Sequence, residues 1–176
     1  MTWRATTIIG IVRAGRAAMA ADGQVSFNDT IIKSTARKIR RLAEGTVLAG
    51  LSGNGADAFA LLEKLEEHLE ASRGSLMRAA VELAREWRQD KSMRELNAII
   101  AAVDRERSLL ITGGGEILEP SDGIVAAGSG HAYALAAARA LSAHTRMTPA
   151  SIARESIAIA SEICIYTGGS IQLEEL

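Results

Sequence analysis

Residues 6–13 read TTIIGIVR, a run of Thr, Ile and Val broken by one glycine and closed by Arg13. β-Branched residues suit a pleated, half-buried backbone, so the run predicts a strand. It opens on two adjacent threonines behind the five residues MTWRA. A secretory leader needs an apolar stretch of roughly 7–15 residues and a cleavage site, which five residues cannot hold. On residue pattern alone, Thr6 and Thr7 are the start of a strand beside a frayed terminus.

Outward from this strand, AGR at 14–16 predicts a tight turn and 17–21 an antiparallel return. The stretch ADGQVSFNDT (21–30) clusters Asp, Gly, Asn and Ser and predicts a loop. A second hairpin follows: RKIRRL (37–42), the turn AEG, then TVLAGLSG (46–53). Beyond it the period changes. Phe59, Leu62, Leu65 and Leu69 recur at three- and four-residue steps, predicting an amphipathic helix from a cap at Asn54 to a stop at Gly74. The segment 75–90 repeats the helical period behind Ser75. Strands return at 97–104, 108–113, 116–120 and 124–130. Two helices then close the pattern: one over 131–143, and one capped by Thr148, with Pro149 in its first turn, reaching about Ile163. Runs of strands separated from runs of helices predict an α+β fold with antiparallel sheets. Two helix pairs covering two stacked sheets give four layers, αββα.

The 176 residues make one domain with a substantial core. A net charge of −1 provides no general attraction toward nucleic acid or an anionic membrane. Two residues each of Trp, Tyr and Phe leave little for a base-stacking surface. No uncharged apolar run approaches the ~18 residues of a membrane span. A single cysteine, Cys164, leaves no internal disulfide and fits a reducing compartment, so the reading is a soluble cytoplasmic protein.

Familiar chemistries find little support. ITGGGEI (111–117) and GSGHAY (128–133) complete no phosphate-loop pattern. His68, His131 and His144 lack metal-ligand spacing, and no G-x-S-x-G elbow is present. KSTARKIRR (33–41) packs Lys33, Arg37, Lys38, Arg40 and Arg41 together, which is ordinarily a solvated hairpin face. Strand alternation turns part of this run inward, and an inward cation needs a carboxylate such as Asp22.

TTIIGIVR, ADGQVS (21–26), ARKIRRL (36–42), AGLSGNGADAF (49–59), AAVELAREWR (79–88), GSG (128–130) and EICIYT (162–167) occur in order along nearly the whole chain. Together they resemble the HslV (ClpQ) family, proteasome-related threonine peptidases of the N-terminal-nucleophile hydrolase type. The resemblance implies that residues 1–5 are a propeptide, that 6–176 is the peptidase domain, and that Thr6 becomes the N-terminal nucleophile. It further implies Lys38 beside the nucleophile, Asp22 as its carboxylate partner, Ser129 in the nucleophile's network, and Gly50 as a backbone oxyanion donor. Carbonyl oxygens of Ser161, Cys164 and Thr167 match positions that bind a sodium ion, with no nucleotide on this chain. Implied partners are a homo-oligomer of two stacked hexameric rings, a hexameric HslU (ClpY) AAA+ ATPase, and unfolded protein substrates. Ala21, the SGNGADAF turn and the tail YTGGSIQLEEL depart from the usual pattern, and the tail leaves the C-terminal contacts open. Two other readings stand beside this one: a bacterial proteasome β-subunit or related amidase, and a non-catalytic ring subunit of the same fold.

Overall fold

The computed structural model describes residues 3–53, 55–90 and 98–176. Among the described residues, twelve strands and four α-helices alternate as runs of strands and helix pairs. Strands β1 (Trp3–Ala5), β2 (Thr7–Arg13), β3 (Arg16–Asp22), β4 (Val25–Phe27), β5 (Thr30–Lys33), β6 (Ile39–Leu42) and β7 (Val47–Ser52) precede helices α1 (Gly55–Ala71) and α2 (Leu76–Gln89). Strands β8 (Ile99–Val103), β9 (Ser108–Thr112), β10 (Ile117–Leu118) and β11 (Ile124–Gly128) come next. Helices α3 (His131–His144) and α4 (Pro149–Ile163) and a last strand, β12 (Ile171–Glu175), complete the chain.

Two antiparallel sheets form the body. One has the order β10-β9-β8-β7-β6, the other β11-β2-β3-β12. The side chains of β2 show why they stack. Ile9 and Ile11 join a cluster with Ala134, Ala138, Ile152 and Ile157 of α3 and α4. Ile8, one position out of phase, joins Met19, Leu48, Ala101, Val103 and Val125 between the sheets. The two-residue period of the strand thus feeds two cores, with roughly 1.5–3 kcal/mol for each large aliphatic side chain fully removed from water. On the far side, Leu61, Leu65, Leu69, Leu76, Leu83 and Trp87 of α1 and α2 pack on Val47, Ile100 and Ile111 of the five-stranded sheet. Helix pair, sheet, sheet and helix pair are therefore the four layers expected.

The helix caps follow their chemistry. Thr148 Oγ1 accepts from the Ser151 backbone N–H at 3.2 Å, with Pro149 in the first turn. Ser75 occupies the N-cap of α2 without a side-chain capping bond. The cap at Asn54 and the side chain of Phe59 lie outside the described residues. Three expectations change. The segment 21–30 is not all loop, since it contains β4 and the start of β5. The first five residues are not only a frayed end, because β1 pairs antiparallel with β4, Trp3 opposite Phe27 and Ala5 opposite Val25. And β12, absent from the pattern reading, pairs antiparallel with β3 over Ile171–Glu175.

Candidate active site

Thr7 opens β2 and Asp22 closes β3, so the hairpin register, with Ile8 opposite Ala21, brings both to one end of the four-stranded sheet. The Thr7 backbone N–H donates to Asp22 Oδ1 at 2.6 Å. Asp22 is fully buried, and its other oxygen accepts from the backbone N–H groups of Gln24 at 2.8 Å and Gly168 at 3.0 Å. Lys38 reaches the same carboxylate from the neighbouring sheet, with Nζ 2.7 Å from Oδ1 and its side chain 6% exposed. Its ammonium also donates to the Gln24 carbonyl at 2.7 Å. A buried charge pair is tolerated when its polar groups are well hydrogen-bonded; here each Asp22 oxygen accepts two bonds and the Lys38 ammonium donates two. Burial nevertheless pulls the Lys38 ammonium below the usual lysine range, against the attraction of Asp22.

Thr6 lies immediately before this network. It is 4% exposed and has φ of 121°, a conformation a β-branched residue adopts only under constraint. The constraint comes from the GSG stretch. The Ser129 backbone N–H donates to the Thr6 carbonyl at 2.9 Å. Gly128, with φ of 96°, lies so close that an added Cβ would collide with that carbonyl oxygen. At Gly130 an added Cβ would approach Thr7 Oγ1 to 2.7 Å, which explains how its N–H reaches that hydroxyl at 2.9 Å. Gly50 on β7 stands opposite Ile39, the residue after Lys38. A Cβ there would meet Ile8 Cδ1 at 2.7 Å and the Lys38 carbonyl at 3.2 Å, so a side chain at this position would press on both neighbours.

The third contributor is the turn after α4. Ser161 lies in the last helical turn and Cys164 is its C-cap. The Thr167 N–H donates to the Cys164 carbonyl at 2.9 Å, and Thr167 Oγ1 lies 2.7 Å from Thr7 Oγ1. Carbonyl oxygens at a helix C-terminus lack helical partners and carry the negative end of the helix dipole. Such an oxygen-only set fits a hard cation.

Of the residues anticipated from sequence, Thr6, Asp22, Lys38 and Ser129 converge around the Thr6–Thr7 peptide, Ser129 through its backbone. Gly50 packs against Lys38, and Thr167 is tied to both Thr7 and Cys164. Lys38 sits just ahead of β6, so it turns inward although Ile39 beside it is buried too, a departure from strict strand alternation. Sequence reading missed Thr7 as a member of the network and missed Gln24, whose Nε2 donates to Ser26 Oγ and to the Ile165 carbonyl, both at 2.9 Å. Both residues stood in quoted motifs, but their side-chain partners are distant in sequence.

A constraint on Thr6, an adjacent buried Lys–Asp pair and an αββα frame narrow the comparison with known proteins. The proteasome family, described as proteasome subunit, matches residues 3–176. The chain belongs to this family. Within it, the chain is 54% identical over 173 residues to the ATP-dependent protease subunit HslV of Chlorobium luteolum, covering 98% of this chain and 95% of that protein. The HslV subunit of Chlorobium phaeobacteroides is 52% identical over the same length and coverage. Among solved structures, eukaryotic HslV from Trypanosoma brucei superposes with a TM-score of 0.90 at 38% identity, covering 97% of this chain and 98% of that one. Thiobacillus denitrificans BPH, solved in complex with epoxomicin, has a TM-score of 0.76 at 19% identity over 97% of each chain, and shares the fold. This proteasome-family chain is thus an HslV-type peptidase. No helix among its described residues is long and apolar enough to cross a membrane.

Proposed function

We propose that the chain is a threonine endopeptidase subunit of an ATP-dependent protein-degradation complex, cutting unfolded substrates delivered by an HslU-type AAA+ ATPase. One observation carries this reading. The Thr7 N–H and the Lys38 ammonium converge on Asp22 Oδ1 at 2.6 and 2.7 Å, so a buried cation sits beside the peptide joining Thr6 to Thr7. The relatives' description as ATP-dependent protease subunits supports the partner, and the resemblance supports two stacked hexameric rings as the assembly.

Removal of residues 1–5 turns the Thr6 nitrogen from an amide into a free amine. That amine, with an ordinary pKa of about 7.7–8.0, takes the proton from Thr6 Oγ1 as the oxygen attacks the scissile carbonyl. General-base help of this kind contributes roughly 10²–10⁴-fold. Lys38, held charged by Asp22, favours the neutral amine and the developing alkoxide. The Gly50 backbone N–H is the oxyanion donor, and such a donor is typically worth about 10²–10³-fold. The ammonium returns its proton to the leaving amine, leaving an ester on Thr6 that water hydrolyses. Ser129 shapes the nucleophile's surroundings. The carbonyls of Ser161, Cys164 and Thr167 would hold sodium, whose charge steadies the turn that supplies Gly168 to Asp22.

The strained backbone at Thr6 adjoins the Ala5–Thr6 bond and supports self-cleavage there, because strain at that residue is relieved when the bond is cut. Thr6→Ala is expected to block both loss of residues 1–5, read by intact mass, and hydrolysis of a fluorogenic peptide. Undiminished hydrolysis by that variant would sink the mechanism.

A further inference from the structure

We infer that Gln172, on the C-terminal strand β12, is a positioning residue for Lys38, holding the lysine backbone to the same ladder that carries Asp22. The inference rests on the reading of Lys38 as part of the peptidase site. Asp22 and Lys38 come from opposite halves of the sandwich: Asp22 ends β3 of the four-stranded sheet, whereas Lys38 immediately precedes β6, the last strand of the five-stranded sheet. Their ion pair therefore spans two layers. A lysine side chain has four rotatable carbons, and its ammonium stays registered on Asp22 only where the backbone beneath it is fixed.

The Gln172 carboxamide supplies that fixing. Its Oε1 accepts from the Lys38 backbone N–H at 2.9 Å and from the Ile39 N–H at 3.2 Å. Its Nε2 donates to the Ile39 carbonyl at 3.2 Å. One side chain thus satisfies three backbone groups at the start of β6, an edge strand with no further strand beside it among the described residues. In β12, Gln172 stands opposite Ala21 and Ile171 opposite Asp22. A two-residue stretch of the β3–β12 ladder therefore holds the carboxylate on one side and the lysine backbone on the other. From the opposite direction Gly50 closes on the Lys38 carbonyl. Farther along the strap, Arg41 Nε meets Glu174 Oε2 at 2.8 Å and Arg41 Nη2 donates to the Glu175 carbonyl at 2.8 Å. Those contacts are exposed and contribute little. Gln172 touches none of the reacting atoms and acts through Lys38.

The test is steady-state hydrolysis of a short fluorogenic peptide by the assembled wild type, Gln172→Met, Gln172→Glu and Lys38→Ala. Misplacing a catalytic group by about 1 Å costs up to roughly 10²-fold, so Gln172→Met is expected to lower kcat about 10- to 100-fold with KM nearly unchanged. Gln172→Glu keeps an acceptor for both N–H groups but loses the donor to the Ile39 carbonyl, and is expected to recover part of the lost kcat. If Gln172→Met fails to assemble, Gln172→Asn replaces it, one methylene too short to bridge, with the same expected loss. Wild-type kcat in Gln172→Met or its replacement, equal losses in it and Gln172→Glu, or a loss confined to KM each overturn the role of Gln172. Full turnover by Lys38→Ala would instead overturn the peptidase-site reading on which the inference rests.

Discussion

The layer beneath α1 and α2 and the open end of the β2–β3 hairpin are buried to a similar depth by opposite means. In the first, Leu61, Leu65, Leu69, Leu83 and Trp87 are fully excluded from solvent against an apolar sheet face. In the second, Thr7, Asp22 and Thr167 are also buried, and hydrogen bonds of 2.6–3.0 Å from β2, the lysine just ahead of β6, the turn after α4 and the GSG stretch meet on them. Apolar burial is non-directional and scales with area, whereas a buried polar group is stable only with its partners in place. The first region therefore supplies stability and the second supplies geometry.

Substitutions in the two regions should separate turnover from stability. The largest effect is expected for Lys38→Ala, which removes the cation beside the Thr6–Thr7 peptide and leaves Asp22 with one fewer donor. Peptide turnover should fall by roughly 10²–10⁴-fold while the assembled particle persists in size-exclusion chromatography. Near-normal turnover would remove Lys38 from the site. Leu65→Ala should do the reverse, lowering unfolding free energy by about 2–5 kcal/mol in denaturant titration while turnover per folded molecule stays near wild type. A comparable loss of turnover in that variant would erase the distinction. The smallest effect is in the pH profile. Burial favours neutral Lys38 more than Asp22 favours the ammonium, so the proton leaves at lower pH than from a free lysine. The alkaline decline of turnover should therefore begin below the ordinary lysine pKa of 10.5, and a profile flat through that value would contradict it.

Much of this division was readable from residues alone. The leucines of α1 announce themselves by a 3.6-residue period, and the Ile-rich opening of β2 by its β-branched content. Strand alternation and the cost of an unpaired buried charge pointed to Asp22 as a partner for one of the cations of 33–41, but the choice of Lys38 and of Ser129 came through resemblance, because local pattern does not say which distant residues share a carboxylate. β12 escaped because IQLEE has no clean alternation, and its half-buried face is fixed by pairing with β3 and by Gln172 reaching β6. β4 and β5 hid among turn residues, and Ile31 and Ile32 on β5 remain exposed, so no apolar face marked the strand. Local propensity identifies elements that bury their own side chains; it is silent about strands defined by what they pair with.

The proposed peptidase activity requires that loss of the five residues before Thr6 expose it as an N-terminal nucleophile. Intact mass with N-terminal sequencing of the freshly purified, peptide-hydrolysing protein tests it most directly. A chain beginning at Thr6 is expected. A fully active particle whose chains all retain Ala5 would contradict it, since an amide nitrogen at Thr6 cannot serve as the base.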